Sequence, residues 1–369
     1  MTFRSHARIT AAVIAPLALL AAGCGGSGEA STDASDRAST ASSDPTPPSG
    51  EPSATKSKTE SGSDNADVDY LLDGAWHQAD GDVVELPKHP HAYDAAVVWD
   101  DRLVATRWDG EVFSVADVID VDGKVVDTFE TTSGVVVNEA GTTIAWIDTD
   151  GVVMTAWDDD EVSVGTVDLA APGESVAYFP AAITGGPSCH EDEDGCVVHV
   201  NSGLGDESRS FSSHGVTDIV GQGVTKVFDA TATGAVSVIN KVTEDLDTCG
   251  GLLDLDDGTR RWTTCDFQVQ QISPDGGYVA APQSQYDGLG PTRLSILDAT
   301  SGQPVADPFE RDGWFVGSWA WSHDGALLFT AHDGSAWHLM SMATDGTVTD
   351  VGDPVRGNDV DNPYVLIQH

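Results

Sequence analysis

The sequence predicts an all-β fold, and two observations carry that prediction. The chain of 369 residues has almost no helical periodicity but many short runs rich in Val, Ile, Thr, Trp and Tyr, such as Ala95–Trp99 and Ala235–Ile239. Asp-Gly pairs separate several of these runs, and glycine readily adopts the positive φ angle that a tight hairpin needs. The pairs are Asp122-Gly123, Asp150-Gly151, Asp257-Gly258, Asp333-Gly334 and Asp345-Gly346.

A longer unit recurs along the chain. Ile272–Ala281 places Ser-Pro-Asp-Gly between two strands, and Trp321–Thr330 repeats this with Ser-His-Asp-Gly. Val137–Trp146 is a weaker copy. The glycines of the two stronger copies, Gly276 and Gly325, are 49 residues apart. A period of roughly 40–50 residues that contains four short strands is typical of one blade of a β-propeller.

The repeats predict a single propeller of about seven four-stranded blades. Six complete blades are expected at residues 93–135, 136–180, 181–225, 226–267, 268–313 and 314–355. Strand-like residues at 69–86 and at Tyr364–Ile367 remain, and joining them in one blade closes the ring and removes its exposed edges. Rings of six or eight blades stay open as alternatives.

The repeated motifs resemble those of known propellers. Ser-Pro-Asp-Gly at 273–276 and Ser-His-Asp-Gly at 322–325 are similar to the repeats of WD40 and TolB-like propellers, and Gly251–Gly258 with Trp262 resembles an outer hairpin of quinoprotein-like propellers. The resemblance spans about residues 68–369. It implies the fold and no particular activity, because propellers include scaffolds, receptors and enzymes.

The first 24 residues predict export and a membrane anchor. Arg4 and Arg8 precede the apolar run Ile9–Leu20, which is followed by small residues and Cys24. The run is too short to span a bilayer and suits a signal peptide over residues 1–23. The segment resembles a bacterial lipoprotein signal, which implies transfer of a diacylglyceryl group to the Cys24 sulfur, cleavage before Cys24, and acylation of the new amino end, for example with palmitate. It also implies a location at the cell membrane on its extracytoplasmic face. An ordinary secretory signal with an incidental cysteine is the alternative.

A linker and an acidic body follow the signal. Residues 24–67 are rich in Ser, Thr, Pro and acidic side chains, so we expect a disordered tether before a propeller domain at 68–369. The full chain carries 60 acidic and 17 basic residues, a formal net charge of −43. This charge disfavours nucleic acid as a partner and favours cationic ones.

Four further cysteines predict disulfides. Cys189, Cys196, Cys249 and Cys265 are an even number in a chain with an export signal. Three pairings are possible, and the local one, Cys189–Cys196 with Cys249–Cys265, closes the shortest loops. The spacings do not match zinc sites.

Candidate metal or catalytic residues are few. His77, His89 and His91 could ligate a metal, but His89-Pro90-His91 also suits an exposed loop. His323, His332 and His338 lie in one late blade, where strand alternation is expected to disperse them. The acidic loops 120–123, 148–151 and 190–195 lack the full calcium-loop pattern, so we predict no metal site and no cofactor beyond the lipid on Cys24.

The sequence therefore favours a binding protein over an enzyme. We expect the ten tryptophans mainly to pack between blades, with some available as anchors on a propeller face. No nucleophile elbow or phosphate-binding glycine loop is present. The expected function is a membrane-anchored scaffold for a protein or envelope ligand. The alternative is a metal-dependent lyase, lactonase or hydrolase whose histidines and carboxylates converge on the central channel.

Overall fold

The computed structural model describes residues 69–110, 113–158, 160–169, 178–203, 208–215, 217–218, 223–242, 248–286 and 289–368. The predicted signal, Cys24 and the linker lie outside these residues. Within them the chain forms 28 strands in seven sheets, with a single turn of 3-10 helix at Cys189–Glu191. A search of the same residues finds no helix with the length and apolarity to cross a membrane.

The seven sheets are the blades of one β-propeller, which confirms the predicted fold. Blade 1 contains β1 (Tyr70–Leu72), β2 (Ala75–His77), β3 (Val83–Glu85) and β28 (Val365–Leu366). Blade 2 contains β4 (Tyr93–Trp99), β5 (Arg102–Trp108), β6 (Ser114–Ile119) and β7 (Val125–Thr131). Blade 3 contains β8 (Val136–Val137), β9 (Thr143–Ile147), β10 (Val152–Trp157) and β11 (Asp160–Thr166).

The remaining blades continue around the ring. Blade 4 contains β12 (Tyr178–Thr184), β13 (Val197–Ser202), β14 (Ser208–Ser212) and β15 (Thr217–Asp218). Blade 5 contains β16 (Lys226–Ala230), β17 (Ala235–Val242), β18 (Thr248–Asp254) and β19 (Arg260–Thr264). Blade 6 contains β20 (Tyr278–Pro282), β21 (Arg293–Asp298) and β22 (Phe309–Glu310). Blade 7 contains β23 (Phe315–Trp321), β24 (Leu327–His332), β25 (Ala336–Met342), β26 (Val348–Asp350) and β27 (Val355–Arg356).

The innermost strands of the blades contact one another around the centre. β4 contacts β28 and β8, β12 contacts β8 and β16, and β23 contacts β28. In blade 6 the inner position is taken by residues 267–272, which run beside β20 with bridges Phe267–Gln283 and Ile272–Val279. We name the four strand positions of a blade A to D, from the centre outward.

The predicted blade boundaries hold with one shift. Blade 4 begins at Tyr178 rather than at residue 181, so the expected end of blade 3 at residue 180 is wrong by three residues. Pro180 lies inside β12, where the register with β13 shifts between Pro180 and Ala182. Proline lacks an N–H and is tolerated in a sheet at such a bulge, so here it does not end the strand.

The core is divided among the seams between blades. Each of the seven buried apolar clusters joins the facing sides of two neighbouring blades, as Trp99 of blade 2 and Trp146 of blade 3 do. Trp321 and Trp337 are buried in two further seams, whereas Trp108 is 45% exposed. Most of the apolar burial that stabilises the fold therefore lies between blades rather than within them.

The two ends of the body meet in blade 1, as predicted. β28 pairs with β1 through Tyr70–Leu366 and Leu71–Val365. The amide of Ile367 donates to the carbonyl of Asp69 at 3.2 Å. The last strand of the chain thus takes the innermost position of blade 1, and the ring closes through backbone hydrogen bonds.

The recurring Ser-x-Asp-Gly unit is the turn between strands A and B. The Ser273 hydroxyl donates to Asp275 Oδ1 at 2.6 Å and accepts the Tyr278 N–H at 2.9 Å. Ser322 binds Asp324 and the Ala326 N–H in the same way. The following glycines, 276 and 325, have positive φ angles of 68° and 83°. The repeat read from the sequence is therefore a side-chain-capped hairpin turn.

Ile367→Ala tests the closure of the ring. Ile367 is 0% exposed in the seam between blades 1 and 2. Its truncation leaves a cavity there, so we expect the free energy of unfolding to fall by about 2–5 kcal/mol in chemical denaturation. Val360→Ala is the control, because Val360 is 71% exposed and its truncation is expected to change stability by less than about 0.5 kcal/mol. Equal effects of the two substitutions would contradict the closure.

Candidate functional site

Antiparallel pairing gives the propeller two distinct faces. The turns between strands A and B and between C and D lie on one face, which we call the turn face. The B–C and D–A connections lie on the other, the loop face. The turn face carries the capped turns and the acidic loop 189–196 between β12 and β13, while the loop face carries the long connection between β20 and β21.

The central channel is narrow at the turn face. The cavity there has a volume of about 60 Å³, room for a water molecule or two. It is lined by Val136, Val137, Glu139, Ala181, Ala182, Asp229, Ala230, Thr231, Gln271, Ile272, Ser273, Pro274, Trp321 and Gln368. Two carboxylates and no histidine belong to this set.

Both channel carboxylates bind backbone amides of neighbouring segments. Asp229 accepts the Ile272 N–H at 2.7 Å and the Ala230 N–H at 2.8 Å. Glu139 of blade 3 accepts the Ala232 N–H of blade 5 at 2.6 Å. Burial raises the pKa of Asp229 to about 7, against the lowering effect of its two amide donors, and the charge of Glu139 adds to the rise. These carboxylates tie inner strands together.

The three early histidines do not converge. His77 stacks on Tyr70 with ring centroids 4.7 Å apart. His91 lies against Trp108 at 4.8 Å. His89 places Nε2 at 3.3 Å from an oxygen of Asp117. Each ring has a different neighbour, so the structure does not bring them together as a ligand set.

The late histidines are also dispersed. His323 lies in the A–B turn of blade 7, and His332 is buried, with Nδ1 accepting the Gly334 N–H at 3.1 Å. His338 lies between two carboxylates, with Nε2 at 3.2 Å from Asp333 and Nδ1 at 3.4 Å from Asp350. The expectation that strand alternation separates these residues is met.

Blade 2 contains a buried polar cluster that the sequence did not predict. Asp117 is 2% exposed, and its Oδ2 accepts from Tyr93 Oη at 2.9 Å and from Arg107 Nε at 3.0 Å, while Oδ1 accepts from Thr128 Oγ1 at 2.9 Å. Burial, followed by the bond to Asp117, raises the pKa of Tyr93 well above its usual range. One residue from each strand of the blade contributes, so the cluster holds the four strands in register.

The acidic loop between β12 and β13 is a rigid projection of the turn face. The Cys189–Cys196 disulfide closes it, as predicted. Within the loop the carboxylates are exposed on consecutive residues, and we call this segment the acidic tip. It consists of Glu191, Asp192, Glu193 and Asp194.

Neighbouring side chains clamp the acidic tip. His190 stacks on Trp157 at 4.8 Å, Ser212 Oγ donates to the Asp194 carbonyl, and His214 contacts the carbonyls of Glu193 at 3.1 Å and His190 at 2.9 Å through its two ring nitrogens. Those two carbonyls raise the pKa of His214, because both require the ring nitrogens to donate. The tip is therefore held at its base while its carboxylates face solvent.

A cleft of about 1020 Å³ opens beside the acidic tip, between blades 4 and 5. Its lining includes Asp192, Glu193, Asp194 and Asp256, and no lysine or arginine is among the described residues that line it. His199 lies at its floor, bonded to Thr184 and Ser210 at 2.8 and 3.0 Å, and burial lowers its pKa to about 4. The histidine is therefore neutral at pH 7, and the cleft is a strongly negative surface. We take the acidic tip and this cleft as the candidate functional site.

The other acidic loops use their carboxylates internally. Asp120 Oδ1 accepts the N–H groups of Asp122 and Lys124 at 3.1 and 2.9 Å. Asp148 binds the N–H groups of Asp150 and Val152 in the same way. Across the described part of the chain, no group of three or more His, Cys, Asp or Glu side chains has the geometry to hold a metal ion.

The second disulfide also forms the predicted pair. Cys249 of β18 joins Cys265, just after β19, at the loop-face end of blade 5. Cys249 is almost fully buried, whereas Cys265 is exposed. Both bridges are local, which is the pairing that short loops favoured.

Comparison with known proteins supports the fold alone. No family model and no curated protein sequence matches this chain. The β-propeller domain of Cps50 (Swd1) from Myceliophteria thermophila is similar in structure, with a TM-score of 0.51 and 8% identity over 78% of this chain and 89% of that one. U3-55K has a TM-score of 0.49 and 9% identity over 79% and 85% of the two chains. Hydrazine synthase of Kuenenia stuttgartiensis has a TM-score of 0.45 and 14% identity over 69% and 78%.

Asp229→Asn tests the environment of the channel carboxyl. The pKa of Asp229 is about 7 in the folded protein and 3.8 in an unperturbed side chain, so the unfolded state ionises first as pH rises. The stability that the protonated group provides is complete below pH 4 and is lost by about pH 7. We therefore expect the unfolding free energy of wild type minus that of Asp229→Asn to fall over this window, by at most about 1.4 kcal/mol per pH unit.

The control for this titration is Asp257→Asn. Asp257 is exposed, and the hydroxyl and N–H of Thr259 lower its pKa. The stability that ionised Asp257 provides is present above the pKa of its unfolded state. We therefore expect the difference in unfolding free energy between wild type and Asp257→Asn to stay constant between pH 5 and 8. Denaturant titrations at several pH values provide the measurement, and a flat Asp229 difference would show that the channel carboxyl ionises normally.

Proposed function

We propose that this chain is a lipid-anchored binding module on the extracytoplasmic face of a membrane, and that its acidic tip and adjoining cleft take a cationic segment of a protein or envelope partner. The observation that carries the proposal is the acidic tip itself. Four exposed carboxylates lie on a loop that a disulfide closes and that His214 and Ser212 clamp. A surface whose conformation is fixed before binding loses less conformational entropy when it binds a partner.

The electrostatics of the cleft support a cationic ligand. Asp256 joins three carboxylates of the tip in the cleft lining, which makes four, and the lining described above contains no lysine or arginine. A concave surface lined by one sign of charge focuses its field and accelerates association with the opposite charge. Basic protein segments and amine-bearing envelope components have that charge.

The anchor is proposed from the first 24 residues. The basic end, the short apolar run and Cys24 after small residues follow the order of a lipoprotein signal. Two or more acyl chains give stable membrane attachment, which an acidic protein needs because anionic headgroups repel it.

The enzyme alternative has less support. A metal-dependent enzyme of this kind needs histidines and carboxylates that converge on the channel and whose polar atoms are free to bind a metal or substrate. Both oxygens of Asp229 and one oxygen of Glu139 instead accept backbone N–H groups, and the histidines have separate neighbours elsewhere. Metal-dependent turnover of a lactone or polysaccharide by the purified protein would replace the binding proposal.

Cys24→Ser tests the anchor. Only the thiol can form the thioether that carries the lipid, so the substituted protein should move from the detergent phase to the aqueous phase when cell extracts are partitioned. A chain that lacks residues 27–60 is the control and should stay in the detergent phase with an unchanged melting temperature. Wild-type protein found wholly in the aqueous phase would refute lipidation.

Neutralising the acidic tip tests the binding site. The triple variant Asp192→Asn, Glu193→Gln, Asp194→Asn is compared with Asp158→Asn, Asp160→Asn, Glu161→Gln. The second set has the same charge change, and its residues lie on the same face outside the cleft and are exposed. With a fluorescent lysine-rich decapeptide, we expect the tip variant to bind at least about threefold more weakly and to lose much of the salt dependence, because fewer ion pairs form.

The control triple should keep most of the wild-type affinity. Fluorescence anisotropy at two ionic strengths gives both quantities. If both triple variants weakened peptide binding equally, the peptide would respond to the overall charge of the protein, and the cleft would not be its binding site.

A further inference from the structure

A second concave surface runs along the seam between blades 5 and 6, from the loop face to the connection between β21 and β22. Two adjoining cavities of about 550 and 860 Å³ share Gln283, Ser284 and Gln285 in their linings. We call the combined surface the seam groove. Its lining also includes Thr248, Trp262, Thr263, Thr264, Cys265, Asp266, Phe267, Gln268, Tyr286, Gly290, Thr292, Arg293, Ser301, Gly302, Gln303 and Pro304.

The seam groove is nearly neutral in a chain of net charge −43. Among the described residues that line it, Asp266 and Arg293 are the charged ones, and their signs are opposite. Amides, hydroxyls and aromatic rings make up most of the rest. This composition differs from that of the acidic cleft, so the two surfaces suit ligands of different chemistry.

Hydrogen bonds orient two amides of the groove as donors. Gln268 Oε1 accepts from Tyr286 Oη at 3.2 Å and from Gln270 Nε2 at 3.0 Å. Gln283 Oε1 accepts from Thr292 Oγ1 at 3.2 Å. Gln268 Oε1 thus accepts two hydrogen bonds and Gln283 Oε1 accepts one, and the NH₂ groups of both residues are available to acceptors on a ligand.

Aromatic surface accompanies these donors. Tyr286 is 39% exposed. Trp262 is half-buried, and its indole N–H donates to the Ala299 carbonyl at 2.8 Å, which fixes the ring. Rings fixed in this way combine a flat apolar surface with polar neighbours at little entropic cost on binding.

The floor of the groove is tied together across the two blades. Thr248 Oγ1 donates to the Ser284 carbonyl at 3.2 Å, and the Ser284 N–H donates to the Asp266 carbonyl at 3.1 Å. The Cys249–Cys265 disulfide adds a covalent tie beside them. The groove is therefore held in shape before a ligand arrives.

We propose that the seam groove binds a neutral polysaccharide. Sugar hydroxyls accept from amide donors and donate to hydroxyls and carbonyls, and the C–H faces of sugar rings pack on flat aromatic surface. The surrounding negative charge repels anionic polymers. A peptide would call for apolar pockets for its anchor side chains, and the lining is mostly polar. The inference rests on the proposed binding function and extends it, since it names a ligand class for a second surface.

The test is affinity electrophoresis of the full-chain protein, purified in non-ionic detergent, through native gels that contain a soluble polysaccharide. The probes are β-glucan, galactomannan, arabinoxylan and arabinogalactan, with alginate as the anionic control. We expect at least one neutral polymer to retard the protein and alginate to leave it unretarded. If none of the four neutral polymers retards it, the inference is wrong.

Variants then locate the binding. The pair Gln268→Ala, Gln283→Ala and the single Tyr286→Ala should each raise the dissociation constant about tenfold, which corresponds to about 1.4 kcal/mol of lost contacts. Tyr286→Phe keeps the ring and loses only the hydroxyl that orients Gln268, so a smaller rise of about threefold is expected. Gln78→Ala in blade 1 is the control and should bind like wild type, with thermal melts showing that every variant folds.

These outcomes separate the inference from the proposed function. Unchanged retardation of the groove variants, or equal loss in Gln78→Ala, overturns the assignment of the groove. The acidic-tip triple variant should retain polysaccharide binding while it binds the lysine-rich peptide more weakly. Peptide binding without any polysaccharide binding overturns this inference alone, and polysaccharide binding without peptide binding overturns the acidic cleft alone.

Discussion

The pairing of β28 with β1 is the constraint on which the rest of the molecule depends. Each blade alone is a small sheet with two apolar faces, and such a sheet is not stable in isolation. Seven seams bury those faces only if the last blade meets the first. The strand that completes the ring is short, and it contributes through Leu366 and Ile367 to the two seams on either side of blade 1. Both candidate binding surfaces are seams as well, so their geometry depends on the same closure.

Much of the acidity of the chain serves its own turns. Asp120, Asp148 and Asp298 each accept backbone N–H groups within a hairpin. The Ser273 hydroxyl and the Gly277 N–H lower the pKa of Asp275 in the same manner. An Asp at these positions supplies a turn cap and a surface charge together. The large negative charge is therefore partly a consequence of building many hairpins with aspartate, and the acidic tip concentrates part of it beside the cleft between blades 4 and 5.

The parts of this structure that sequence could reveal are the local ones. The turn at 273–276 repeats because its side chains satisfy their own backbone, and both disulfides close short loops, so each leaves a readable pattern. Blade boundaries followed from the period, and blade 4 was misplaced by three residues because its first strand begins before the point at which the period places it. The contacts between distant parts of the chain depend on which strands pair in the fold. Asp117 meets Tyr93 from 24 residues away, and no spacing rule marks that contact.

Both candidate surfaces show the same limit. The acidic tip was visible in sequence as a run of charges between two cysteines, but the cleft beside it depends on how blade 5 packs on blade 4. The seam groove left no sequence signal, because Gln268, Gln283 and Tyr286 are ordinary residues in two separate segments of the chain. What makes them a surface is the bonding that turns their amides outward, which only the fold specifies.

The position of β1 has a mechanical consequence. The chain enters the ring at Asp69, and β1 follows at once, paired on one side with β28 and on the other with β2. A pull transmitted through the residues that precede Asp69 therefore acts on a strand with neighbours on both sides, not on a sheet edge. Detaching it breaks two rows of backbone hydrogen bonds together. Tension applied at this point is therefore resisted by the same contacts that close the ring.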